Sequence, residues 1–180
     1  MDRAIITPRI VGKSDGTRLV KVGGENGYPD GSNTFLAGNF LVLSSGDLAA
    51  LATDAVLAGA FATDDSKSST TIDPPYALIG DKHFPFKLNG VKFAISVTDD
   101  SENIGEANSA PQLSEISVGS SYGILKGAAG LHYLNVDETS NTIFTVVEKP
   151  EQFDGVFQTA ATYNPVVIVQ VIASKIQTLG

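Results

Sequence analysis

The chain has 180 residues, 42% of them hydrophobic and 18% charged, a composition of folded globular proteins that excludes an extended disordered polypeptide. Twelve basic against twenty acidic residues give a formal charge of −8 with no Lys/Arg cluster, which argues against a nucleic-acid-binding surface and against attraction to acidic membranes. With no cysteine, neither disulfides nor thiolate-bound zinc can hold the fold.

In chain order, the N-terminus lacks a basic segment followed by a long apolar one, and no run approaches the roughly 18 apolar residues that span a bilayer. The chain is therefore expected to be soluble and unprocessed, with no membrane partner. Ile5, Ile6, Pro8, Ile10 and Val11 make a short apolar stretch, residues 17–22 read as a strand, and residues 23–33 are dense in turn formers. Residues 1–33 read as an N-terminal arm and loop, and residues 34–180 as one β-rich domain.

Beyond the arm, apolar residues come in short bursts separated by Gly, Asn, Asp, Ser and Pro, the spacing of an all-β domain with many tight turns. Residues 40–43 read as a strand, 44–47 as a turn, 48–51 as a return strand, and 56–62 as a third strand interrupted by Gly59. The competing reading of residues 47–62 is a helix capped by Asp47, because Ala and Leu are strong helix formers. Residues 63–75 are polar and closed by Pro74 and Pro75, an exposed loop. Residues 84–88, Asn89-Gly90 and residues 91–97 read as a hairpin in which Val91, Phe93, Ile95 and Val97 alternate onto one face. Residues 98–114 form a second polar, acidic loop. Strands are then expected at 116–118, 122–126, 131–136 and 142–147, followed by a loop over 150–155. A final strand at 166–172, apolar on both faces, should be buried centrally.

Gly119-Ser120-Ser121-Tyr122-Gly123 fits the G-x-S-x-G pattern of a hydrolase nucleophile elbow. Such an elbow joins a strand to a helix, with the acid and then the histidine arriving later in the chain. Here the next residues are glycine-rich, and the one downstream histidine, His132, sits in a strand-like stretch, so the glycines read as turn formers and Ser121 as structural. His83 and His132 lack H-x-x-x-H or H-x-H spacing, which points away from a transition metal. Asp64, Asp65, Asp99, Asp100 and Glu102 lack the spacing of a calcium loop and read as solvated charge. No phosphate-cradling glycine motif occurs. Tyr76, Phe84, Phe86, Phe93, Tyr122, Tyr133 and Phe144 fall mostly in expected strands and read as core rather than as a carbohydrate-binding row. The residues thus point to a protein without catalytic activity, cofactor or metal.

Two blocks carry a resemblance. Phe35-Leu36-Ala37-Gly38-Asn39-Phe40-Leu41-Val42-Leu43, a turn at Gly46 and Ala58-Gly59-Ala60-Phe61-Ala62-Thr63-Asp64 resemble a pattern of tailed-bacteriophage capsid decoration (head cement) and other virion proteins. Val118-Gly119-Ser120-Ser121-Tyr122-Gly123-Ile124, Leu131 to Asp137 and Asn141 to Val147 are similar to the second half of those chains. The resemblance implies a small β-barrel or β-tulip-like domain that attaches to the major capsid protein on the outside of an icosahedral head and cements neighbouring capsomers, often as a homotrimer. It implies a virion location after assembly in the host bacterial cytoplasm. The arm residues Ile5, Ile6, Pro8, Ile10 and Val11 would then bind the capsid, ordering on contact and leaving the fold intact if residues 2–16 were removed. A tail or baseplate component, or a glycan-binding host-adhesion module, is the alternative.

Overall fold

A computed structural model describes residues 6–13, 35–44, 47–62, 88–99, 111–158 and 164–177. Its strands are β1 (Arg9–Lys13), β2 (Phe40–Ser44), β3 (Asp47–Ala50), β4 (Ala60–Phe61), β5 (Val91–Thr98) and β6 (Ser121–Lys126). They continue with β7 (His132–Asn135), β8 (Phe144–Glu148), β9 (Gln152–Phe153), β10 (Val156–Phe157) and β11 (Val166–Val171). Apart from two single 3-10 turns, at Leu113–Glu115 and Ala173–Lys175, the described residues hold no helix. The chain is all-β.

The main sheet runs β1-β5-β11-β8-β6-β7, and a further pairing of β7 with β5 closes five of these strands into a barrel. Closure depends on how β5 is shared. β11 lies antiparallel along it, pairing Val166 with Ser96 through to Val169 with Phe93, and the Val97 N–H continues that edge to the Pro165 carbonyl. On the other edge β1 pairs with residues 91–94, and β7 takes over in parallel at Val97 and Thr98. The remaining barrel contacts, β11 with β8, β8 with β6 and β6 with β7, are antiparallel.

β5 is apolar at Val91, Phe93, Ile95 and Val97 and β11 at all but Gln170, and all but Lys92 and Gln170 of the two strands are buried. Phe93, Ile95, Val97, Val167, Val169 and Val171 fill the barrel with Ile124, Leu134, Phe144 and Val146. Ala94, Val166 and Ile168 point outward yet are covered, by Ile6, Val147 and Phe153. β11 is therefore central, as its two-faced apolar run requires.

A second layer, β3-β2-β4, packs on the barrel. Its contact is aromatic: the Phe40 ring meets Phe61, Phe93 and Phe144 edge-on at centroid distances of 5.0, 4.9 and 4.7 Å. Each such pair adds roughly 0.5–1.5 kcal/mol beyond area burial.

Several sequence expectations change. The expected return strand at 48–51 stands as Asp47–Ala50, and the competing helix over 47–62 does not form, because pairing with β2 supplies the hydrogen bonds a helix would have made internally. The expected strand over 56–62 shrinks to Ala60–Phe61, because Ala58 turns instead to bridge Ile176 in the C-terminal segment. Residues 116–117 are irregular and residues 118–119 a turn, with Gly119 at φ +90°, so no strand forms there. The 150–155 loop is in fact part of a hairpin.

The Asn89-Gly90 turn forms, with Val91 N–H bonded to Leu88 O at 3.1 Å, but only Gly90 has positive φ (+71°). That is the backbone of a type II turn. In β5, which follows it, residues 91–94 pair with β1 and residues 93–96 with β11. Residues 17–33, 63–75, 84–87 and 100–110, with the expectations placed on them, lie outside the described residues.

Replacing Phe40 by Ala is expected to cost about 3–5 kcal/mol, read from the urea midpoint at unchanged slope. A loss below about 1 kcal/mol would show that the aromatic cluster does not hold the layer to the barrel.

Candidate interaction surface

The N-terminal segment is built into the fold. Ile6 N–H donates to Ser96 Oγ at 3.1 Å, and its side chain packs on the outward apolar patch of β5 and β11. Pro8 is buried, and Ile10 packs against the barrel core. The register of β1 against β5 slips between Ile10 and Gly12, so Val11 has no partner on β5 and stands 45% exposed. Such a bulge re-aims a side chain without breaking the pairing around it. Residues 6–13, expected to order only on binding, are thus ordered within the chain's own sheet. Among the residues expected to contact a partner, Ile6, Pro8 and Ile10 serve internal packing, Val11 faces out, and Ile5 lies outside the described residues. Removing residues 2–16 would uncover the β5 edge and the Ala94–Val166–Ile168 patch rather than leave the fold untouched.

Beside β1 a two-stranded ribbon projects from the barrel. Asp154 and Gly155 both adopt positive φ, +51° and +76°, the backbone of a type I′ turn that matches the twist of paired strands. Val156 pairs with Phe153 and Phe157 with Gln152, so Phe153 and Phe157 fall on opposite faces. Phe153 packs toward the barrel, whereas Phe157 is 65% and Val156 46% exposed.

The ribbon is braced at both ends. At its tip Arg9 reaches Asp154 Oδ1 at 2.5 Å and lies 4.9 Å over the Phe153 ring. At its root Gln158 accepts the Val166 N–H at 2.6 Å and donates to the carbonyls of Pro150 and Val166 at 2.6 and 2.9 Å. A short exposed ribbon with an aromatic residue is thereby held in one orientation.

Arg9 also borders an open cleft of about 520 Å³ between the N-terminal segment and the second layer. Its walls are apolar, from Ile6, Pro8 and Ile10 on one side and Gly38, Phe61 and Ala62 on the other. Gly38 has φ +88°, and a Cβ there would clash with the Thr7 side chain and stand 2.7 Å from the Pro8 carbonyl oxygen. Glycine is what lets the two segments approach closely enough to frame the cleft.

The candidate chemistry of the sequence is dispersed. Ser121 opens β6 and shares a 3.0 Å hydroxyl–hydroxyl hydrogen bond with Thr145, with no helix after it. His132 pairs with Lys126 at the opposite end of β6, and both its ring nitrogens are engaged. Nucleophile and base are therefore apart. His83 lies outside the described residues, among which no group of three or more His, Asp or Glu could hold a metal ion. Glu138 is held below the usual carboxylate range by the backbone N–H groups of Asn141 and Ser140, as part of a turn packed over Gly123. Phe93, Tyr133 and Phe144 are core, and Tyr122 is half-buried against it.

The fold and this surface define a closed all-β barrel domain that carries a braced ribbon and an apolar cleft. No family model matches the chain, and no curated protein or solved structure matches it either.

Two outcomes follow from the geometry. Replacing Ser121 by Ala is expected to cost no more than about 1 kcal/mol, the value of one partly buried hydrogen bond. A fluorophosphonate probe should leave Ser121 unlabelled, and labelling would overturn its structural role. Replacing Arg9 by Ala should change global stability by less than about 1 kcal/mol, because both ends of the ion pair are about half exposed. Hydrogen exchange should nonetheless quicken at residues 152–157, and unchanged exchange there would show that Arg9 does not brace the ribbon.

Proposed function

We propose that the chain is a non-enzymatic structural protein of a tailed-phage virion, which binds the outside of the head and cements neighbouring capsomers. The observation that carries this reading is the braced ribbon with Phe157 and Val156 exposed beside an apolar cleft, on a barrel whose Ser121 and His132 are engaged in structure. A rigid aromatic projection loses little conformational freedom on docking, which suits it as an interface anchor. The two-block resemblance to decoration proteins supplies the partner, the major capsid protein, and favours a homotrimer on the capsid surface after assembly in the host cytoplasm.

In this reading the outer edge of β1, to which no described strand pairs, offers main-chain hydrogen bonds to a capsid strand. Lys13 ends that strand, and Val11 and Phe157 add apolar contact. A stable interface of this kind needs about 1,000 Å² or more, and repetition of the contact across an oligomer multiplies its strength.

Co-sedimentation with expanded, undecorated heads of the encoding phage, beside unexpanded procapsids and finished tails, tests the proposal. Saturable binding to expanded heads is expected. The double variant Val156→Ser, Phe157→Ser should weaken it by about tenfold or more at unchanged fold, since an aromatic anchor commonly contributes roughly 2 kcal/mol or more. Recovery with tails or host cells alone would assign the chain to the tail or to adhesion instead.

A further inference from the structure

We propose that His132 is an acid-sensitive latch, whose protonation frees the β2–β3–β4 layer from β7 while the five-stranded barrel stays closed. His132 is wholly buried at the start of β7, on the same face as the core residue Leu134. Its Nδ1 accepts the Phe40 N–H at 2.9 Å, so that nitrogen carries no proton. The proton then sits on Nε2, which donates to the Leu51 carbonyl at 3.0 Å. Leu51 N–H in turn donates to the Phe40 carbonyl at 2.9 Å. The imidazole thus joins both chain ends of the β2–β3 hairpin to the barrel, with the Phe40 ring stacked on it at 6.2 Å.

A second proton has only Nδ1 to occupy, and there it would face the Phe40 N–H. The hydrogen bond cannot survive this, and a buried cation would be left against a donor. The groups acting on the ring are few. From β2 it meets the Phe40 amide and ring, from the segment after β3 the Leu51 carbonyl, and from β6 the cation of Lys126. Burial lowers the imidazole pKa to about 4, the Leu51 carbonyl opposing and Lys126 reinforcing the shift.

A detached imidazole returns to about 6.5. Between these values the detached form holds the proton and the latched form does not, so attachment is complete above about pH 6.5 and weakens as pH falls toward 4. The weakening approaches tenfold per pH unit, about 300-fold across the window. Of the layer's other ties, Asn39 Nδ2 to Gly130 O at 3.0 Å, Lys126 N–H to Thr53 Oγ1 at 3.1 Å, Asp54 N–H to Ile124 O at 3.0 Å and the backbone bonds of Ala58 with Lys175 and Gln177 involve no titrating atom, whereas the side-chain hydrogen bond between Asp54 and Glu138 does. They set how far the layer is held before the latch opens. Because Gly38, Phe61 and Ala62 belong to the layer and its approach, its release would also dismantle one wall of the apolar cleft.

Hydrogen exchange of the full chain from pH 7 to pH 4, expressed as protection factors, tests the latch. The Phe40 and Asp54 amides, whose acceptors His132 Nδ1 and Ile124 O lie on the barrel, report the layer's attachment, and the Val97 and Val146 amides the barrel. Layer protection is expected to fall by up to about tenfold per pH unit below pH 6.5 while barrel protection holds. In His132→Gln, which gains no proton, the selective fall should vanish. Simultaneous loss in layer and barrel, or an identical selective fall in His132→Gln, would overturn the proposal. Should that variant not fold, ¹⁵N shifts of the His132 ring in the native chain decide: a titration midpoint near that of a free imidazole overturns the latch, and one near 4 that tracks layer opening supports it.

Discussion

Along one edge of β5 two strands succeed each other, β1 over residues 91–94 and β7 at Val97 and Thr98, while β11 pairs with residues 93–96 on the opposite edge. This handover is what closes the barrel. A five-stranded sheet curls tightly, and its last strand can meet its first only if part of that first strand's edge is left vacant. The β1 pairing stops at Ala94, two residues short of the start of the β7 pairing at Val97. The parallel β5–β7 contact is short, and the Val136 N–H bond to Thr98 O extends it by one step. Both faces of β5 are buried because both edges and both sides have partners.

The second layer depends on that barrel for its hydrogen bonds as well as its core. Phe40 drives its ring between Phe61, Phe93 and Phe144, which requires its backbone to sit deep enough that water cannot serve its N–H. His132 supplies the acceptor, and Asn39 bridges Leu36 N–H to Gly130 O one residue earlier. Burying polar side chains beside an aromatic cluster is tolerable only when each is satisfied. The consequence is that a hydrophobic contact has been made conditional on the protonation state of one imidazole.

The exposed features follow from bracing rather than from sequence polarity. The ribbon stays put because Gln158 pins its root and Arg9 its tip, leaving Phe157 outward by strand alternation alone. The cleft exists because Gly38 lets the second layer approach Thr7 and Pro8 without a side chain between. Neither feature is a catalytic constellation. Both are stiff shapes with apolar surface, as the proposed cementing role requires.

The sequence by itself determined the all-β class, the positions of β2, β5, β6, β7, β8 and β11 to within a few residues, and the central burial of β11. Those are local properties: alternation, turn formers and a strand apolar on both faces. It also placed Ser121 outside any nucleophile elbow. One glycine turn shows where local reading stopped. At Asn89-Gly90 the turn and the strand after it form as read, and residues 84–87 lie outside the described residues. Asp154-Gly155, flanked by Gln-Phe and Val-Phe, lay within a segment read as loop and forms a hairpin. Its pairing is held by Gln158 and Arg9, and the Arg9 contact is long-range. The same holds for the N-terminal segment, whose isoleucines look equally available in sequence. Only the tertiary structure decided that Ile6 and Ile10 turn inward while the bulge at Val11 turns one residue out, because strand register, not composition, selects the face each side chain meets.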